Sequence, residues 1–181
     1  LVDRTHGRAS TFFENGVVAH ISFAEPFCPV MRSLLVEELN KTDSAVHDGG
    51  TYVVIEGPAF STIAESKIYR SWEASIIGMT ALPEAKLARE AEICYTTLGC
   101  VTDYDVWHET HDAVTVDMVL ANLQRNVAVA QKLVSQIVTR LPSRRTCRCA
   151  EALGNAVITS PDHMKASTKD YLKIISGNLV N

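Results

Sequence analysis

The sequence predicts an α/β domain in layers, and three observations carry that prediction. Segments with strand character alternate with segments of helical period along the whole chain, the ordering that produces layered α/β domains. Two of the strand-like segments, "GGTYVVIEGP" (49–58) and "ICYTTLGCVT" (93–102), are nearly all apolar, as expected of strands covered on both faces. The 181 residues are 46% hydrophobic and contain no repeat, low-complexity tract or linker, so residues 1–181 read as one domain with a substantial core.

Each element has its own signal. "GVVAHISF" (16–23), rich in Val and Ile, reads as a strand. "PVMRSLLVEELNK" (29–41) reads as a helix, with Pro29 in the first turn where its missing N–H costs nothing. After the glycine-bracketed strand at 49–58, "STIAESKIYRSWEA" (61–74) opens with a capping hydroxyl and continues as a helix. "SIIGM" (75–79) is a short strand and "LPEAKLAREAE" (82–92) a helix, followed by the strand-like 93–102. "TVDMVLANLQRNVAVAQKLVSQIVTRL" (115–141) places apolar residues at 116, 119, 120, 123, 127, 134, 137 and 141, a long amphipathic helix. "CRCAEALGNAVITS" and "STKDYLKIIS" give two further helical pieces around Pro161.

A net charge of −4 without a sizeable Lys/Arg block argues against a nucleic-acid partner. The nearest approach, "RRTCR" (144–148), is short and isolated. No apolar run reaches the roughly 20 residues that cross a bilayer, and no signal peptide opens the chain, so no membrane partner is expected. Five cysteines, with Cys28, Cys94 and Cys100 in apolar surroundings, fit a reduced cytoplasmic protein. The chain starts at Leu1 rather than Met, as a fragment would.

In such sheets ligands gather at the carboxyl ends of strands, here 56–60, 79–80 and 102–105. "TDYDVW" (102–107) sets Asp103 and Asp105 one residue apart. On a strand they would share a face and repel unless something between them shared a proton or a hydrogen bond. Short acids also cap turns at strand ends. "EGPAFS" (56–61) delivers Phe60 beside Ser61, either in an ordinary tight turn or toward a ligand. His20 reads as a half-buried strand histidine. "HETH" (108–111) spaces its histidines at i and i+3, whereas the zinc protease helix needs i and i+4. "CRC" (147–149) has no second cysteine pair in sequence, so a four-thiolate zinc site is not expected and no metal is assigned.

At "HISFAEPFCP", "GTYVVIEGPAFSTIAES", "IIGMTALPEAKLAREAEICY" and "VTDYDVW" the sequence resembles the S-methyl-5'-thioadenosine phosphorylases of the trimeric purine nucleoside phosphorylase family. The similarity runs from "DRT" (3–5) to the helix ending near Leu141. It implies a phosphorylase-type fold with a central mixed sheet flanked by helices, in a carboxy-terminal portion that lacks the family's amino-terminal phosphate-binding part. It also implies phosphorolysis of methylthioadenosine to adenine and 5-methylthioribose-1-phosphate, with phosphate as co-substrate and no cofactor. Phe60 would stack on adenine with Ser61 near the base edge. Met79 would lie against the ribose and Thr80 would touch phosphate. Asp103 would address purine N7 and Asp105 the N6 amine, while Val116 and Val119 line a methylthio pocket. His20 would reach a neighbouring subunit's site in a homotrimer.

The resemblance also implies a use for the two acids. As the glycosidic bond stretches, N7 becomes basic; a protonated Asp103 donates to it, and repulsion from Asp105 helps to hold that proton. The incoming phosphate dianion stabilises the cationic sugar. Two residues depart from the family pattern, Ala59 and Ile63 standing where arginines are usual. A 6-oxopurine phosphorylase is disfavoured because its pattern near 103 is Asn followed by Lys. A non-catalytic nucleoside-binding or storage protein is the reading from another class.

Overall fold

Four consecutive residues, Tyr52 to Ile55, are buried, so the apolar run around them is indeed a strand covered on both sides. The computed structural model describes residues 1–108 and 116–176. Strand β2 (Thr51–Ile55) lies between β1 (Val2–Arg4) and β3 (Ala74–Gly78) in a parallel three-stranded sheet, with Val53 opposite Val2 and Ile77. Parallel neighbours need a crossover, and α2 (Ile63–Ser71) supplies it between β2 and β3. The other helices are α1 (Pro29–Leu39), α3 (Ala81–Glu90), α4 (Val116–Arg140) and α5 (Ala166–Ser176), with short 3₁₀ turns at Arg148–Glu151 and Pro161–His163. The tail is therefore helical on both sides of Pro161, though only as a single turn on the amino-terminal side.

The described chain packs as two compact units. The first comprises Leu1–His6, Ser33–Thr80 and Leu98–Pro142. It contains the sheet, with Val53, Ile55 and Tyr69 of α2 forming a core against Val2, Ala74, Ile77 and Met79. Alternation explains the pair from β2, since residues two apart share a face. Within this unit Arg140, in the last turn of α4, donates to Glu38 and, at 2.9 Å, to Glu37, while Lys41 reaches Glu38 at 2.6 Å. Glu38 is buried. The hydrogen bond from Lys41, and with it that from Arg140, holds the Glu38 carboxyl below the usual carboxylate range against the opposing effect of burial.

The second unit comprises Gly7–Arg32, Ala81–Thr97 and Ser143–Asn181. Its core is Phe13, Val17, Leu153, Ala156, Met164 and Leu172. In α3 the second residue, Leu82, is extended (φ −123°, ψ 135°), the conformation preferred before proline.

Two expected strands are corrected. Residues 16–23 form one antiparallel bridge, Ala19 to Val157, in place of a strand. The Val18 N–H donates to the Thr159 hydroxyl (2.9 Å) rather than to a ladder carbonyl, which ends pairing there. Residues 93–102 form no strand either. Side-chain amides of α4 occupy the carbonyls at its end: Asn122 Nδ2 donates to Thr102 O (2.6 Å) and Asn126 Nδ2 to Val101 O (2.9 Å).

Gly78 marks a close approach between strands. A Cβ there would lie 2.2 Å from the Tyr52 hydroxyl and 3.0 Å from its ring. Gly78→Ala is therefore expected to cost about 1–3 kcal/mol by overpacking, read as a lower denaturant midpoint. Tyr52→Phe/Gly78→Ala should recover part of that loss. An unchanged midpoint in the single variant would refute the contact.

Candidate active site

The site is built at the carboxyl ends of β2 and β3. Their registry sets Val54 beside Gly78, so the two chain exits, at Glu56 and Met79, leave side by side. Gly57 (φ +69°) turns the first exit, in a conformation that favours glycine. A Cβ on it would meet Met79 Sδ at 2.6 Å, so the thioether lies directly against the turn. The chain then presents Phe60, whose ring is 83% exposed and open for stacking. Ser61 follows, with its hydroxyl oxygen buried and without a hydrogen-bond partner among the described residues. A buried hydroxyl in that condition is costly unless a ligand completes it.

Helix α2 starts at once after this turn because Thr62 caps it. Thr62 Oγ1 accepts from the Glu65 N–H (3.2 Å), and Glu65 Oε2 accepts in return from the Thr62 N–H (2.8 Å), a complete capping box. These bonds, the backbone one foremost, lower the Glu65 pKa. One residue on, the fully buried Ser66 donates its hydroxyl to Asp105 Oδ2. That bond draws the 102–105 segment onto the first turn of α2. Asp105 is half-buried; Asp103 is exposed and accepts from the Thr102 hydroxyl. Beyond them, Tyr104, Trp107 and His108 form a ring cluster, and the Arg70 guanidinium of α2 lies 3.6 Å over the Trp107 ring.

Helix α4 reaches the same segment from its amino-terminal turns. Asn122 is turned onto Thr102 O and accepts from Arg125. Val119, three residues earlier and half-buried, shares that face. Val116 opens the helix, and its side chain lies outside the described residues, as do residues 109–111 of "HETH". Met79, Ser61, Asp105 and Val119 are thus tied to one region of the first unit by contacts or shared faces. Thr80 is exposed at the β3 exit. His20 belongs to the second unit; it is exposed, and its N–H donates to Ala156 O at 2.8 Å. Ser66 and Asn122, which hold the acidic segment, were not singled out by the sequence. Both are small polar residues on amphipathic helices, where the pattern alone reads them as surface positions.

The cysteines require a correction. "CRC" does acquire two further thiols, from distant parts of the chain. The sulfurs of Cys28, Cys94, Cys147 and Cys149 all lie within 4.8 Å of one another, with Cys94 and Cys147 at 3.4 Å. Burial, with help from the Cys147 and Cys28 thiols, pushes Cys94 up to about 11. Burial would raise Cys147 as well, but the Cys149 N–H and neighbouring thiols bring it down to about 7. Burial and the Cys147 thiol raise Cys149.

A parallel sheet with crossover helices, carrying an aromatic and a thioether at its strand exits and an acidic segment bonded to α2, matches a known class. Residues 1–139 match the phosphorylase superfamily, and the chain belongs to it. It is 52% identical over 178 residues to an S-methyl-5'-thioadenosine phosphorylase of Thermosynechococcus vestitus, a match covering 96% of this chain and 62% of the relative. To the enzyme of the same name from Geobacter sulfurreducens it is 51% identical, with 99% and 63% covered. Among solved structures, a methylthioadenosine phosphorylase from an antarctic soil metagenomic library is similar at TM-score 0.88 and 45% identity, over 96% of this chain and 62% of that one. The Schistosoma mansoni methylthioadenosine phosphorylase in complex with adenine is similar at TM-score 0.73 and 32% identity, covering 80% and 57%. The chain thus spans about three fifths of the length of the curated relatives it matches. Among the described residues no helix is long and apolar enough to cross a membrane.

Proposed function

We propose that the protein takes part in the phosphorolysis of S-methyl-5'-thioadenosine, giving adenine and 5-methylthioribose-1-phosphate. The observation that carries this reading is the similarity to the metagenomic methylthioadenosine phosphorylase, at TM-score 0.88 and 45% identity over 96% of this chain. In the proposed reaction a phosphate oxygen attacks the anomeric carbon while the C–N glycosidic bond breaks. The bonding electrons pass into the purine, and a proton from Asp103 neutralises N7. Asp105 accepts from the N6 amine. Its Oδ2 already accepts from Ser66, which fixes the carboxylate orientation and leaves Oδ1 for the base. Ser66 is therefore a positioning residue.

The exposed Phe60 ring supplies the stacking surface for adenine. The buried Ser61 hydroxyl offers a hydrogen bond at the base edge, and Met79 packs against the ribose. Thr80 contacts phosphate, and Val116 with Val119 receives the methylthio group. We assign the protein to a homotrimer, with His20 directed to a neighbour's site. Exposed apolar residues on α4, including Leu120, Leu123, Val127 and Val134, favour self-association.

The test is adenine release from methylthioadenosine, followed with and without phosphate. With the family's amino-terminal phosphate-binding part joined to this chain, the expected result is release only with phosphate present, and the 181 residues by themselves are expected not to turn over. Binding of the nucleoside without release would identify a nucleoside-binding protein instead, and phosphate-independent release would identify a hydrolase.

A further inference from the structure

None of the four clustered cysteines of the second unit has a part in the proposed reaction. The geometry points to a structural zinc site in which Cys28, Cys94, Cys147 and Cys149 bind one Zn²⁺ through four thiolates.

The positions of the sulfurs come first. In a tetrahedral four-thiolate site the Zn–S bonds are about 2.3 Å, which sets the sulfurs about 3.8 Å apart. Here every sulfur lies within 4.8 Å of the other three, and one pair stands at 3.4 Å. Small movements around a common centre satisfy all four bonds. A disulfide needs about 2.05 Å between two particular sulfurs, and the pair at 3.4 Å, Cys94 and Cys147, stands well beyond that distance. Four protein ligands close the coordination shell, which makes the site structural rather than catalytic, and soft thiolates with tetrahedral geometry select zinc.

The backbone brings the ligands together independently of the sulfurs. Cys28, just ahead of α1, donates its N–H to Tyr95 O at 2.7 Å, which holds it beside Cys94. Glu92, two residues before Cys94, has φ +55° and receives two bonds from the carboxy-terminal segment. Arg145 Nη1 donates to its carbonyl at 2.6 Å, and the Leu153 N–H donates to its Oε1 at 3.0 Å. Those two contacts bracket Cys147 and Cys149.

Burial and charge agree with the assignment. Cys28 and Cys149 are buried, while Cys94 and Cys147 are partly exposed, leaving one side for ion entry. Four thiolates around Zn²⁺ carry a net charge of −2, and "RRTCRC" (144–149) places Arg144, Arg145 and Arg148 in the same stretch as two ligands.

The protein would be purified under a non-thiol reductant, incubated with ZnCl₂, passed through a desalting column and assayed for metal. About one zinc per chain is expected. Cys28→Ser and Cys149→Ser should each lower retained zinc at least tenfold, whereas Cys100→Ser, the fifth cysteine and outside the cluster, should retain it. Should the serine variants fail to fold, cobalt substitution of the wild-type protein decides: Co²⁺ should produce the intense visible bands of tetrahedral cobalt–thiolate coordination. Failure of reduced wild-type protein to retain zinc, a cobalt spectrum without those bands, or zinc retained equally by Cys28→Ser and Cys149→Ser would each overturn the assignment.

Discussion

Asp105→Asn is expected to move the base preference from 6-aminopurine toward 6-oxopurine nucleosides by more than an order of magnitude. In the proposed reaction the N6 amine of methylthioadenosine donates to the Asp105 carboxylate, a charge-assisted bond worth roughly 1.5–3 kcal/mol. Methylthioinosine presents O6 there instead, so lone pairs face lone pairs and the bond becomes a repulsion. Asparagine can turn its NH₂ toward O6 and remove that repulsion. The measurement is kcat/KM for both nucleosides in wild type and variant, using a chain with its amino-terminal half restored. Ser66→Ala is an informative companion: it frees the Asp105 carboxylate, whose Oδ2 otherwise accepts from the buried Ser66 hydroxyl, and should weaken discrimination without reversing it. An aminopurine-to-oxopurine ratio unchanged in Asp105→Asn would show that Asp105 does not read the base.

Asp103→Asn is expected to lower kcat by about two to four orders of magnitude, the usual contribution of a positioned general acid. The asparagine amide can still donate a hydrogen bond to N7 but cannot transfer a proton as the glycosidic bond breaks. KM for methylthioadenosine should therefore change little, since the lost interaction develops in the transition state. Thr102 donates to the Asp103 carboxylate from the adjacent position, and Thr102→Val, which removes that donor and keeps the shape, should have a much smaller effect. A variant retaining wild-type kcat would remove Asp103 from the chemistry and leave it as a turn residue.

How much was legible in advance depended on the range of the contacts involved. The helices α1, α2 and α4 follow from period, proline position and capping, all of which act within a few residues, and the apolar run at 49–58 announced the central strand. Residues 93–102 looked equally strand-like, yet their last carbonyls are taken by Asn122 and Asn126. Local pattern cannot foresee a helix that arrives later in the chain and offers side-chain amides to that backbone. The same limit applies to Ser66 and Asp105, 39 residues apart, and to Cys94 and Cys147, 53 apart. Phe60 and Met79 are legible because each follows a strand, whereas the acidic pair follows a segment that forms none.

The capping box of α2 bears on electrostatics as well as on stability. The amino end of a helix ordinarily attracts anions through its free N–H groups and its positive pole. In α2 the Glu65 N–H is taken by Thr62, and the Glu65 carboxylate, held ionised, lies over that pole. The positive end is neutralised from within the helix, and Asp105 adds negative charge one turn away through Ser66. In the proposed reaction this side of the site would repel anions and favour amine donors, so that a phosphate dianion and a 6-aminopurine would not exchange places. On the proposed reading, charge would bias the orientation of a nucleoside before any side chain has to recognise its shape.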